Sequence, residues 1–275
     1  MLRTRALLFF VLLLVSTLLL VAGCRSDGDA PSTSAETATP AIGTETQGAS
    51  TATPDSADAT PTIGAPIEPA RVLSRGDPSR REVALTFDAG SDAGYTADIL
   101  ETLRREGVRA SFGVTGLWAE ENRDLMLAIS ASGHLLINHT YDHRSFTGLS
   151  SGAAPLTNEE RASELSRTET TIFRLTGRST RPYFRPPFGD LDPLVLRDVA
   201  ANGYDVVVMW TVDTFGWKRV TADEVVERSL RLAEPGAIYV MHVGSESQDG
   251  PALPRIIDGL RAMGYAFVTV DEMVR

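Results

Sequence analysis

Three of the four histidines stand in two short contexts, His139-Thr-Tyr-Asp-His143 and Val240-Met-His242. An acid, Asp88, precedes both within Leu85-Thr-Phe-Asp-Ala-Gly90. Neutral imidazole is the commonest protein metal ligand and a frequent general acid or base. Two histidines at i and i+4 can reach one cation from a single turn of chain. The zinc-protease helix motif does not apply, because no Glu follows His139. Taken singly, each residue has a plainer reading: Asp88 as a turn residue after a strand, each histidine as a satisfied structural group. The pair at this spacing, with an acid and a third histidine, points to metal-assisted hydrolysis. His134 has no motif around it and reads as structural.

These residues need elements to bring them together. Glu82–Phe87 reads as a strand, and Tyr95–Arg105 carries apolar residues at helical spacing before Gly107. A strand over 109–114, a helix over 125–132 stopping at Gly133 and a strand over 134–138 follow. Asn158 is placed to cap a long helix that ends near Gly177. Then come a short strand at Tyr183-Phe184, a helix over 193–202, a buried strand over 205–211 and a helix from Thr221 to Ala233. Strands over 236–242 and 265–270 flank a last helix over 254–263. The alternation predicts an α/β fold, a deformed (β/α) barrel of about seven units. An open doubly wound sheet is the alternative, with no glycine-rich phosphate loop to support it. Asp88, His139, Arg185, Asp213 and His242 all fall just after predicted strands, where barrel active sites lie.

Taken together, these segments resemble the polysaccharide deacetylase domain (NodB homology, carbohydrate esterase family 4) over about residues 72–275. The family's Thr-Phe-Asp-Asp-Gly stands here as Thr86-Phe87-Asp88-Ala89-Gly90, its His-Ser/Thr-x-x-His as His139-Thr-Tyr-Asp-His143. Arg185-Pro-Pro-Phe-Gly189, Asp213-Thr-Phe-Gly-Trp217 against Asp-x-x-Asp-Trp, and Val240-Met-His242 complete five ordered motifs. The resemblance implies Asp88 as catalytic base, Arg185 as its partner and His139 and His143 as ligands of a divalent metal. That metal is expected to be zinc, with cobalt or nickel as alternatives. It further implies the Phe188 backbone N–H at the oxyanion, Trp217 at the substrate, Val240 at the acetyl methyl and His242 as the acid that protonates the leaving amine.

Two positions depart from the pattern. Ala89 stands where the family has a metal-binding Asp, and a catalytic zinc usually has three protein ligands and a water. Asp92 is the expected substitute, with Asp88 itself or weak metal binding as alternatives. Gly216 stands where the family's second Asp tunes the catalytic histidine, and Asp213 is the candidate to take that role. The implied reaction is removal of N-acetyl groups from an amino-sugar polymer, cell-wall or other N-acetylated polysaccharide. An O-acetyl esterase, a small-amide hydrolase and a non-catalytic glycan-binding lipoprotein using Trp118, Trp210 or Trp217 are the competing readings.

The rest of the chain bears on location. Residues 1–23 read as a secretory signal, with Arg3 and Arg5 before an apolar run over 6–22. Cys24, the single cysteine, follows Leu-Val-Ala-Gly as in the bacterial lipobox. That implies a lipid on Cys24 and an extracytoplasmic, membrane-anchored protein. Residues 26–70 lack Lys, Arg and aromatics, so 24–70 reads as a disordered tether ahead of a domain over 71–275. One cysteine allows no disulfide within the chain. A net charge of −10 gives no basic patch for nucleic acid.

Overall fold

The computed structural model describes residues 68–275. The expected signal peptide, Cys24 and the tether as far as residue 67 lie outside the described residues. The first strand, β1 (Arg71–Leu73), is followed by β2 (Glu82–Ala89), α1 (Thr96–Glu106), β3 (Ser111–Val114), α2 (Gly116–Glu121), α3 (Arg123–Ala131) and β4 (Leu135–Asn138). Then come α4 (Asn158–Thr176), β5 (Tyr183–Phe184), α5 (Pro193–Ala201), β6 (Val206–Val208) and β7 (Val212–Asp213). The chain ends with α6 (Ala222–Arg231), β8 (Ile238–His242), α7 (Asp249–Ala262), β9 (Ala266–Phe267) and α8 (Val270–Met273).

The strands form one sheet in the order β1-β6-β5-β4-β3-β2-β8-β7, with β9 beside β2. Every strand pair is parallel. Strands β2, β3, β4, β5, β7, β8 and β9 are each followed by a helix, so the seven expected units are present. The sheet curls: β6 and β7, far apart in strand order, are separated by only residues 209–211 in the chain. An antiparallel bridge between Arg75 and Ala237 also ties the β1 and β8 sides together.

Strand alternation sorts the side chains into two layers. On β2, Val83, Leu85, Phe87 and Ala89 join an apolar cluster with Ile99, Leu103, Leu253 and Ile256 from α1 and α7. Ala84, on the opposite face, belongs to a separate cluster with Ile137, Val208 and Ile238 inside the curl. Thr86 and Asp88 share that inner face.

The structure revises the predicted elements in four places. The cap of α4 is Thr157, not Asn158; Thr157 and Glu160 form a reciprocal capping box. The expected strand over 205–211 is two strands, because β6 pairs with β1 and β5 while β7 pairs with β8. The last predicted strand stops at Phe267, and Thr269 caps α8. Helix α7 begins at Asp249 and carries Pro254 inside it. Pro254 is the sixth residue of α7, so it forgoes the bond to the Gly250 carbonyl and its ring crowds that carbonyl.

Candidate active site

Asp88 and Arg185 form the centre. Arg185 follows β5 and is fully buried. Its Nη1 donates to Asp88 Oδ1 at 2.8 Å and to Thr86 Oγ1 at 2.8 Å, and its Nε donates to the Val208 carbonyl at 3.1 Å. Gly113, the β3 residue opposite Asp88, gives that carboxylate its space: a Cβ there would lie 2.5 Å from Asp88 Oδ1. Burial alone would raise the Asp88 pKa, but the Arg185 charge, aided by His242, holds it below its ordinary value. Asp88 is therefore an ionised carboxylate at neutral pH.

His139 leaves the end of β4, and its Nδ1 donates to the Arg185 carbonyl at 2.8 Å. A carbonyl only accepts, so Nδ1 carries the proton and Nε2 keeps its lone pair. Nε2 lies 3.7 Å from Asp88 Oδ2. His143 packs edge-on against His139 with ring centroids 4.8 Å apart. Glu164 of α4 secures the intervening turn, accepting the N–H groups of Tyr141 and Asp142 on one oxygen. Burial depresses the pKa of His139 and, with His139 beside it, brings that of His143 to about 4. Both imidazoles are neutral at physiological pH, the form that binds metal.

This donor set fits a divalent cation through two neutral imidazoles, one of them oriented by a carbonyl as metal-binding histidines usually are. A third ligand is not assembled: among the described residues, no three His, Cys, Asp or Glu side chains converge at metal-binding distances. Asp92 stands apart from the pair. Its carboxylate accepts Ser245 N at 2.8 Å and Ser245 Oγ at 2.5 Å, and it is exposed. Those bonds hold its pKa down and tie the loop after β2 to the loop after β8. Ala89 belongs to the helix-side core, since the residue after Asp88 on a strand points to the opposite face.

His242 ends β8. Burial opposes its protonation, but Asp249, Asp88 and Asp213 together outweigh burial and raise its pKa. Asp213 does not stand directly behind it. Its Oδ1 accepts Phe215 N at 2.9 Å and Trp217 Nε1 at 3.2 Å, so it shapes its own turn and orients the tryptophan. The carboxylate nearest the inner ring nitrogen of His242 is Asp249, at 3.8 Å from Nδ1. Sequence reading missed Asp249 because α7 was expected to begin only at Pro254.

Asp88, His139, His143, Asp213, Val240 and His242 line one cavity of about 510 Å³. Phe188, Trp210 and Trp217 complete its apolar walls. Phe188 is more than half exposed and stands edge-on to His143 at 4.8 Å, while Trp217 is also exposed. Trp118 is core instead, its Nε1 bound to the Asp92 carbonyl. Thr140, His143, Phe188 and Phe215 all adopt positive φ between 61° and 66°. Such strain in non-glycine residues gathers where a site must hold its groups rigidly.

The family model for polysaccharide deacetylase matches residues 75–207. A peptidoglycan-N-acetylglucosamine deacetylase of Bacillus cereus is 33% identical over 201 residues, covering 72% of this chain and 70% of that protein. The peptidoglycan-N-acetylmuramic acid deacetylase PdaA of Bacillus subtilis is 29% identical over 220 residues, 79% of this chain and 80% of that protein. Among solved structures, a carbohydrate esterase family 4 pseudoenzyme from Bacillus anthracis superposes with a TM-score of 0.68 at 31% identity, covering 76% of this chain and 70% of that one. The fold, the matched motifs and these relatives agree: this chain belongs to the polysaccharide deacetylase family.

Proposed function

We propose that the protein hydrolyses N-acetyl groups on amino sugars of peptidoglycan, and that it does so with a divalent metal. The observation that carries this reading is the convergence of an ionised Asp88, two neutral imidazoles and a pKa-raised His242 on one cavity. His139 and His143 would hold the metal, which supplies Lewis acidity and an acidified water when bound. Asp88, kept ionised by Arg185, takes a proton from the attacking water. The turn at Phe188 presents its backbone N–H to the developing oxyanion. As the amide C–N bond breaks, His242 gives its proton to the amine, leaving acetate and a free amino sugar. Val240 lines the floor where the acetyl methyl sits, and Phe188 and Trp217 offer apolar faces to the sugar.

The resemblance of Leu20–Cys24 to a lipobox supports a site for this chemistry outside the cytoplasm, where peptidoglycan would be the polymer first met. Replacing Cys24 by Ser should abolish membrane association in cells, read by fractionation. The central test incubates the purified protein with N-acetylglucosamine oligomers and with peptidoglycan fragments, adding zinc, cobalt or nickel, or a chelator. Metal-dependent loss of acetyl groups by mass spectrometry is the expected result. Oligomers that bind but keep every acetyl group would replace the hydrolase with a glycan-binding protein.

A further inference from the structure

Asp249 is a fully buried carboxylate outside the predicted motifs. It accepts Thr214 Oγ1 at 2.6 Å on one oxygen. The other oxygen accepts the His242 backbone N–H at 2.8 Å and Ser247 Oγ at 2.9 Å. Burying an ionised carboxylate is costly unless it is hydrogen-bonded and matched by charge. Among the described residues, the cationic group in ion-pair reach of Asp249 is His242, whose Nδ1 is 3.8 Å away. That Nδ1 is itself buried and has no hydrogen-bond partner. A third of the ring surface is exposed and lines the cavity. The two unmet needs face each other 3.8 Å apart.

Gly216 belongs to the same arrangement. A Cβ at 216 would lie 2.5 Å from both Cγ and Oδ1 of Asp249 and 2.7 Å from Oδ2. The Gly216 carbonyl accepts Gln248 N at 3.1 Å, so the start of α7 presses directly on this loop. The volume a side chain at 216 would fill is the volume the Asp249 carboxylate fills. As packed, only one of the two positions can carry a carboxylate.

We infer that Asp249 is the positioning residue for His242, and that Gly216 is glycine because the carboxylate behind the histidine is delivered from α7. Asp249 fixes the Nδ1–H tautomer and ring orientation of His242 and leaves Nε2 toward the cavity. The proposal rests on the deacetylase reading for its catalytic consequence but not for its geometry.

The test separates the two. In substrate-free full-length protein, long-range ¹H–¹⁵N NMR correlations should show neutral His242 protonated on Nδ1. In Asp249→Asn the population should move toward Nε2–H, the form favoured by imidazole in water. With substrate, the same variant should lose about 10²-fold in kcat while KM stays within about twofold, the size of a misplaced acid. The double variant Gly216→Asp/Asp249→Ala, with the carboxylate supplied from position 216, should restore both the tautomer and most of kcat. A carboxylate needed only to cap α7 would give no such rescue. An unchanged tautomer in Asp249→Asn, or a double variant that folds without recovering it, overturns the assignment. If the wild type deacetylates nothing while the tautomer result holds, the deacetylase reading fails and the pairing stands.

Discussion

Arg185 has no water to fall back on: it is fully buried, and its ion-pair partner is Asp88 at 2.8 Å. Breaking a buried pair by removing one partner typically costs about 3–5 kcal/mol, because the other charge is left stranded. Arg185→Met should therefore lower stability by about that amount. It should also raise the Asp88 pKa, since burial already pushes that way and Arg185 is the strongest opposing influence. A base must be ionised to act, so the acid limb of the rate profile should move to higher pH. The double variant Asp88→Asn/Arg185→Met removes both charges and should regain much of the lost stability without regaining turnover. Urea midpoints and kcat/KM against pH measure both halves. A double variant no more stable than Arg185→Met would show that the pair is not what the single variant breaks.

Gly113 shows how a strand sets the site. Parallel register puts it opposite Asp88, and only a residue without Cβ leaves room for the carboxylate. Gly113→Ala should swing Asp88 away from Arg185, lowering kcat by about 10²-fold with a stability loss of about 1–3 kcal/mol. Activity that survives while stability falls would mean the carboxylate relaxes harmlessly. The strands bearing Asp88, Arg185 and His242 were legible in the sequence, because alternating or continuous apolar runs ended at each functional residue. The expected Asp88–Arg185 pairing and the shared cavity are both present. What the sequence hid depends on contacts across the fold. The sequence has Gly216 but not the carboxylate that fills its space, since residues 216 and 249 meet only when α7 packs on the β7 loop. Asp92 looked available as a ligand because nothing local shows Ser245, distant in sequence but on the loop after the neighbouring strand β8, already bound to it. The split of the strand over 205–211 likewise follows from the curl of the sheet, which no local pattern records.

Cooperative folding carries a local electrostatic effect into the stability of the whole domain, and His134 offers a way to read it. This histidine is buried ahead of β4, packs against Phe112 at 5.1 Å and accepts the Ala110 N–H on Nδ1 at 3.1 Å. Burial, with Arg178 and Arg109 nearby, lowers its pKa from 6.5 to about 4. Protonating Nδ1 would also break the bond from Ala110. Above its ordinary 6.5 the group is neutral folded and unfolded, so it adds no pH dependence. As pH falls below 6.5 the unfolded chain takes up a proton that the folded chain refuses, and stability drops until pH reaches about 4. The full loss is on the order of 3 kcal/mol for a shift of this size. His139 and His143 are also depressed and add loss of the same sign, so the wild type alone cannot isolate the effect. His134→Asn can, because its side-chain oxygen keeps an acceptor for Ala110 without a titrating proton. The variant should lose less stability than the wild type across that window, by on the order of 3 kcal/mol in urea denaturation. Curves that fall in parallel would place the acid sensitivity of the fold elsewhere, in the histidines and carboxylates of the site itself.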